Sequence, residues 1–119
     1  MDPGLAEAYV TEKRTGAHRA VQMYAALSIV QNKPVKLEFF FYTNLMGKAL
    51  KLAMALKQKN YTLEPVRKSM SGNGLWLTTG LTHYLCLDPV PICDWAEMMC
   101  KTGLEFDCSF DGWGIYIES

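Results

Sequence analysis

The stretch that decides the fold runs Val35-Lys36-Leu37-Glu38-Phe39-Phe40-Phe41-Tyr42. Its odd-numbered residues are all apolar, whereas its even-numbered residues begin with charges, and this period of two is typical of a β-strand with one buried face. The even-numbered face becomes apolar in turn at Phe40 and Tyr42. We therefore expect a central strand whose second face is covered or serves for contact.

A helix and an edge strand are predicted to follow. The helix carries one apolar stripe at helical spacing, formed by Met46, Ala49, Leu50, Ala53 and Leu56. Its lysines lie mostly outside that stripe, so we interpret them as a solvated face rather than a phosphate site. Asn60 suits the left-handed conformation that ends a helix, and residues 61–66 have the composition of a strand. Pro65 cannot donate a ladder hydrogen bond, which places that strand at a sheet edge.

The second half of the chain continues this alternation of strands and helices. Residues 75–85 are predicted to form a strand, 92–101 a helix that ends at Gly103, and 104–110 a last strand. In that last strand we expect the inward side chains to be Leu104, Phe106, Cys108 and Phe110. Unbroken alternation would then bury glycines and turn Ile115 outward. A β-bulge at 111–114 exchanges the faces and returns Ile115 to the core.

This order of elements predicts an α+β fold, a ferredoxin-like βαββαβ sandwich in which two helices cover one face of a four-stranded antiparallel sheet. Right-handed crossovers place the first and third strands at the centre of the sheet and the second and fourth at its edges. Residues 1–33 are expected to form a helical N-terminal extension, and residues 34–119 the sandwich domain.

Composition narrows the classes of function. The 119 residues carry 12 basic and 12 acidic side chains. The chain thus lacks the excess of positive charge that non-specific binding to nucleic acid or to an anionic membrane requires. We find neither a signal-peptide pattern nor an apolar run long enough to cross a membrane, and we expect a cytoplasmic protein. No CxxC pair is present, so we do not expect a metal site. We expect no other cofactor either. The cysteines expected to be structural thiols are Cys86, Cys93, Cys100 and Cys108.

Aromatic residues are predicted to gather on the face of the sheet that carries no helix. Those expected on it are Phe40, Tyr42, Trp76 and Tyr84, with Trp113 joining them near the bulge. An apolar patch of this size usually marks a contact surface, so we expect another protein or a second copy of the chain to cover it. The alternative is intramolecular: the N-terminal helix folds across this face with Val21, Tyr24 and Leu27.

The predicted bulge lies in the motif Phe110-Asp111-Gly112-Trp113-Gly114. With this motif the chain resembles the family of regulators of ribonuclease E activity, type B, whose last strand carries a Tyr/Phe-Asp-Gly-Trp-Gly signature. The likeness extends more loosely over residues 35–117. It implies a ferredoxin-like domain and a non-catalytic role, in which a small protein binds ribonuclease E and restrains its cleavage of RNA.

Three classes of function follow from these patterns, and an interaction module is preferred. Its candidate partner-binding residues are Phe40, Tyr42, Trp76, Tyr84, Asp111 and Trp113. Asp111 has an alternative role in bonding backbone amides at the bulge, and Trp113 has one as a packing anchor. Direct binding of single-stranded RNA is disfavoured because only Lys36 lies near the aromatic residues. An enzyme would use His83 as a base, but alternation places His83 inward, where a hydrogen-bonded core histidine is expected.

Overall fold

The computed structural model describes residues 3–26, 34–70, 73–86 and 88–116. In chain order the elements are α1 (Pro3–Ala26), β1 (Lys36–Thr43), α2 (Met46–Gln58), β2 (Thr62–Leu63), β3 (Arg67–Lys68), β4 (Trp76–Leu81), α3 (Pro89–Glu105) and β5 (Ser109–Tyr116). All strand pairs are antiparallel, and the expected α+β class is confirmed.

β1 and β4 occupy the centre of the sheet. The strand order is β2-β4-β1-β5, and β3 also pairs with β4. The sequence predicts a single edge strand over residues 61–66, but the chain forms the short strands β2 and β3 on either side of Pro65. Proline has no amide hydrogen for the ladder, so pairing is interrupted there. Over the described residues the sheet therefore has 5 strands rather than the expected four.

Aromatic side chains from β1, β5 and α3 form the centre of the core. Phe39, Phe41 and Phe110 are at most 1% exposed. The Trp95 ring of α3 packs edge-to-face on Phe39 and Phe110, with centroid distances of 6.3 and 6.1 Å. The helices add Leu52, Leu56, Ile92, Ala96 and Met99 to the same cluster. Both α2 and α3 therefore cover one face of the sheet.

The buried stripe of α2 differs from the predicted one. Its buried residues are Ala49, Leu52, Ala53 and Leu56. Met46 and Leu50, which the sequence places in the stripe, are 47% and 45% exposed. The helix is rotated so that Leu52, rather than Leu50, enters the core.

α3 is longer than the sequence predicts. It continues through Gly103 to Glu105, so Leu104 and Phe106 do not belong to the last strand. The prediction that Gly103 ends the helix is also wrong. Gly103 serves close packing instead, because a Cβ atom there would lie 2.8 Å from Phe41 Cε1.

The predicted bulge is present in β5. The register between β1 and β5 shifts after Phe40, which pairs with Gly112, and leaves Asp111 as the extra residue. Gly112 has φ 149°, a backbone conformation that favours glycine. Ile115 then packs against the core, as the sequence predicts.

α1 packs beside α3. Val10 and Ala17 belong to the same core cluster as the α3 residues. The Arg14 guanidinium donates a hydrogen bond to the Asp94 carboxylate at 2.7 Å. The core residues of α1 therefore lie on the helix-bearing side of the sheet. The side chains of Val21 and Tyr24, and all of Leu27, lie outside the described residues, so their proposed covering of the opposite face stays a prediction.

Candidate functional site

The face of the sheet opposite α2 and α3, called the helix-free face below, is the candidate functional site. Alternation along β1 and the cross-strand pairs with β4 and β5 assign residues to it. These are Lys36, Glu38, Phe40, Tyr42, Leu77, Thr79, Leu81, Ser109, Gly112, Gly114 and Tyr116.

Aromatic rings line this face, as alternation along β1 predicts. Phe40 and Tyr42 are half-buried on it. Tyr84 is 57% exposed, and the Lys36 ammonium lies 4.9 Å from the centroid of its ring. Tyr116 pairs with Lys36 and is 40% exposed. Tyr116 is not among the residues predicted for this face, although alternation after the bulge is a signal that places it here.

Among the described residues, Thr79 is the one that has a buried side-chain polar atom without a hydrogen-bond partner. It pairs with Phe40 on the helix-free face and is only 5% exposed. Its Oγ1 atom has no hydrogen-bond partner among the described residues. A buried polar group left unpaired costs about 1–3 kcal/mol, so the Thr79 hydroxyl is a local cost to the stability of the fold.

Trp76 lies on the opposite face from the predicted one. It pairs with Thr43, and Gly80 of the same strand pairs with Phe39, so the even-numbered residues of β4 face the helices. The Phe39 ring needs the room that Gly80 leaves by having no side chain, because a Cβ atom at Gly80 would lie 2.8 Å from Phe39 Cε2. Gly80, and with it Trp76, therefore faces the helices. Trp76 is half-buried, with its ring centroid 5.6 Å from the Lys68 ammonium.

Trp113 also faces the helices, and its predicted place on the helix-free face is wrong. It pairs with Phe39, and its ring packs edge-to-face on Trp95 with a centroid distance of 6.3 Å. The bulge that turns Ile115 inward turns Trp113 inward as well. This position matches the alternative interpretation of Trp113 as a packing anchor.

Asp111 is exposed at the bulge and apart from the aromatic residues. Its backbone carbonyl accepts a hydrogen bond from Lys13 Nζ at 3.3 Å. Its carboxylate makes no hydrogen bond with any residue described in the structure, so the expected bonds to backbone amides are not found. Asp111 is therefore not joined to Phe40 or Tyr42 in a single site.

A groove of about 540 Å³ separates α1 from the bulge. The carbonyl of Phe110, which lines the groove, accepts a hydrogen bond from the Tyr9 hydroxyl at 2.5 Å. Together with Lys13, Tyr9 thus satisfies backbone carbonyls of β5, which is an edge strand. The charged residues that line the groove are Glu12, Lys13, Arg19 and Asp111. Because they balance in sign, the groove favours neither anions nor cations.

Burial suppresses ionisation around the core. It raises the pKa of Tyr9 to about 12 and also raises the pKa of Tyr61, whose oxygen accepts a hydrogen bond from Trp95 Nε1 at 3.1 Å. Burial likewise raises the thiol pKa of Cys93, Cys100 and Cys108. These thiols are protonated at neutral pH and hence weak nucleophiles.

His83 is exposed, so its predicted place in the core is wrong. β4 ends at Leu81, and the Thr82 hydroxyl then accepts a hydrogen bond from the Leu37 amide at 2.9 Å and donates one to the His83 carbonyl. Because the Thr82 hydroxyl takes the place of a backbone acceptor in the strand ladder, the regular alternation of side chains between the two faces ends before His83. The His83 ring stacks on Tyr61 with a centroid distance of 6.3 Å.

The described ranges hold neither a metal-binding cluster nor a helix suited to crossing a membrane. There, no three His, Cys, Asp or Glu side chains are grouped so that they could hold a metal ion. None of the helices in those ranges combines the length and the apolar character needed to cross a membrane.

No model of a known protein family matches this chain, and no curated protein is similar to it. The resemblance to the type B regulators therefore rests on the motif at 110–114 and the looser likeness around it.

Proposed function

We propose that this chain is a non-catalytic protein-interaction module that resembles the type B regulators of ribonuclease E activity. Its helix-free face binds ribonuclease E in the cytoplasm and slows the cleavage of RNA. The proposal includes a ferredoxin-like sandwich over residues 34–119. Two findings support that fold: β1 and β4 are the central strands, and α2 and α3 pack on one face.

One observation carries the proposal: aromatic rings line the sheet face that no described helix covers. Phe40 and Tyr42 lie at the centre of this face, and the exposed rings of Tyr84 and Tyr116 lie toward one end. Aromatic residues are enriched in protein interfaces because they bury a large area at a low entropic cost.

A protein partner suits the charges of this face better than RNA does. Lys36 and Arg67 lie on it by register, but so does Glu38, in the middle of β1. Single-stranded RNA is bound by stacking platforms set in a positively charged groove, and a central carboxylate opposes the phosphate backbone. RNA binding remains an outcome that the experiment below distinguishes.

A catalytic role has less support from the described side chains. The buried thiols are held protonated, and among the described residues the exposed His83 ring stacks on Tyr61. A general base needs a nucleophile or substrate proton within hydrogen-bond reach, and no described side chain offers His83 such a group. We therefore propose binding without turnover.

Cleavage of a labelled single-stranded RNA by purified ribonuclease E from the same host tests the proposal. Added wild-type protein is expected to lower the initial rate in a saturable manner. The double variant Tyr84→Ser/Tyr116→Ser should need roughly tenfold more protein for the same inhibition, since exposed aromatic anchors often dominate interface energy. Met70→Ser is the matched control, because Met70 is 94% exposed and lies outside the helix-free face.

Unchanged cleavage at high protein concentration would refute regulation of ribonuclease E. Equal inhibition by the wild type and the double variant would refute the helix-free face as the site. A titration of the protein with the labelled RNA, without ribonuclease E, measures direct binding of RNA. Tight association that weakens steeply with salt would favour the RNA-binding alternative.

A further inference from the structure

α2 carries an apolar ridge that the described part of the chain leaves uncovered. Met46, Leu50 and Met54 follow at intervals of four residues and are 47%, 45% and 63% exposed. Leu45, at the start of the helix, is 54% exposed. Since α2 covers the other side of the sheet, this ridge is separate from the helix-free face.

The spacing of the ridge fits a second helix. Residues at i, i+4 and i+8 form the row that packs into the grooves of a neighbouring helix. From Met46 to Met54 the row is about 12 Å long, or a little over two turns. Methionine adapts its shape to a partner surface. Gly47 lies beside the row, and a Cβ atom there would have no atom within 4 Å, so another backbone can approach closely.

The charges on α2 identify the kind of helix that fits. The segment Met46–Gln58 contains lysines but neither Asp nor Glu. Lys48 bonds to the Asp107 carboxylate, whereas Lys51 and Lys57 pair with none of the residues that the structure describes. On a helical projection, Lys57 continues the ridge and Lys51 flanks it. An apolar row bordered by uncompensated ammonium groups complements an apolar row bordered by carboxylates.

A second copy of this chain does not meet that requirement. In symmetric packing of α2 on its counterpart, each helix would offer the other lysines and no carboxylate, and an excess of like charge opposes such an interface. We propose that the α2 ridge is a docking site for an acidic amphipathic helix of a partner protein. This inference is independent of the proposed function and uses a different surface.

Fluorescence anisotropy with a synthetic probe tests the inference. The probe is a labelled peptide of about 18 residues with leucines on one helical face and glutamates beside them; its matched counterpart carries lysines instead. The wild type is expected to bind the glutamate peptide and not the lysine peptide. Leu50→Ser/Met54→Ser should weaken binding by roughly tenfold or more.

Charge reversal gives the sharper reading. Lys51→Glu/Lys57→Glu should lose the glutamate peptide and gain the lysine peptide. Val90→Ser and Arg19→Glu are the controls: Val90 is 63% exposed, like Met54, and Arg19 is an exposed cation of α1. All substituted positions are at the surface, and circular dichroism confirms that each variant is folded.

Three results would overturn the inference. One is equal binding, or no binding, of the two peptides by the wild type. Another is unchanged affinity for the glutamate peptide in both α2 double variants. The third is cosedimentation of the wild type with phosphatidylglycerol vesicles that the α2 variants lose, because the ridge would then serve an anionic membrane rather than a protein helix.

Discussion

Phe40 and Thr79 lie opposite each other on β1 and β4, and the buried Thr79 hydroxyl has no hydrogen-bond partner among the described residues. Their pairing places an aromatic ring beside a polar group that folding has desolvated without compensation. Such a group is a local cost to stability. The helix-free face therefore combines exposed aromatic rings with an uncompensated polar group.

Replacing Thr79 by valine is expected to stabilise the free protein by about 1 kcal/mol, because valine has a similar shape and no hydroxyl to desolvate. Urea unfolding checks this. Thr82→Val is the control: Thr82 is equally buried, but its hydroxyl bonds the Leu37 amide and the His83 carbonyl. That variant should lose about 1–2 kcal/mol. Equal destabilisation of both variants would show that the Thr79 hydroxyl is satisfied.

Gly80→Ala is expected to destabilise the fold by about 1–3 kcal/mol, since the added Cβ would meet the Phe39 ring and lie 3.0 Å from the Thr62 carbonyl oxygen. Gly114→Ala is the matched control in the same sheet, because no atom lies within 4 Å of its added Cβ. It should be neutral or slightly stabilising. Equal midpoints of thermal unfolding for the two variants would contradict the assignment of the β4 faces.

Trp113→Ala is expected to cost about 2 kcal/mol, because it removes a half-buried ring that packs on Trp95. Tyr84→Ala, at an exposed ring in contact with Lys36, should cost less than about 1 kcal/mol. Binding is expected to show the reverse order, with Tyr84→Ala weakening partner affinity more than Trp113→Ala does. Denaturant titrations of both variants measure the loss of stability, and binding titrations on the same samples measure the loss of affinity. A larger stability loss for Tyr84→Ala than for Trp113→Ala would show that Tyr84, and not Trp113, is the packing anchor.

Alkaline stability should depend on Tyr9. Its folded-state pKa is raised to about 12 from 10.0, so its contribution is fully present below pH 10 and is lost as the pH rises toward 12. The free energy of unfolding of the wild type should therefore fall more steeply over this interval than that of Tyr9→Phe. Urea titrations at several pH values measure both slopes. Parallel curves would show that the Tyr9 hydroxyl is not held in its neutral form.

Much of the sheet could be predicted because its signals are local. The alternation in β1, the φ of 68° at Asn60 and the conflict around the bulge all depend on neighbouring residues. The face of β4 could not be predicted in this way, since apolar side chains occur on both of its faces. Gly80 decides it by admitting the Phe39 ring, and that contact joins residues far apart in the chain.

The candidate site, like the sheet, was predictable only in part. Phe40, Tyr42 and Tyr84 lie on the helix-free face as expected, whereas Trp76 and Trp113 face the helices. The unsatisfied hydroxyl of Thr79 has no signal in the sequence, because threonine is common in strands and only tertiary packing removes its partners. The same holds for the α2 ridge, since a small rotation of the helix decides which apolar residues are buried.

Hydroxyl-radical footprinting of this protein with purified ribonuclease E tests the central claim most directly. Oxidation of Tyr84 and Tyr116, which are 57% and 40% exposed in the free chain, is measured by mass spectrometry with and without the ribonuclease. The account predicts strong protection of both rings, while Met70, which is 94% exposed, stays reactive. Unchanged oxidation of Tyr84 and Tyr116 at saturating ribonuclease E would contradict it.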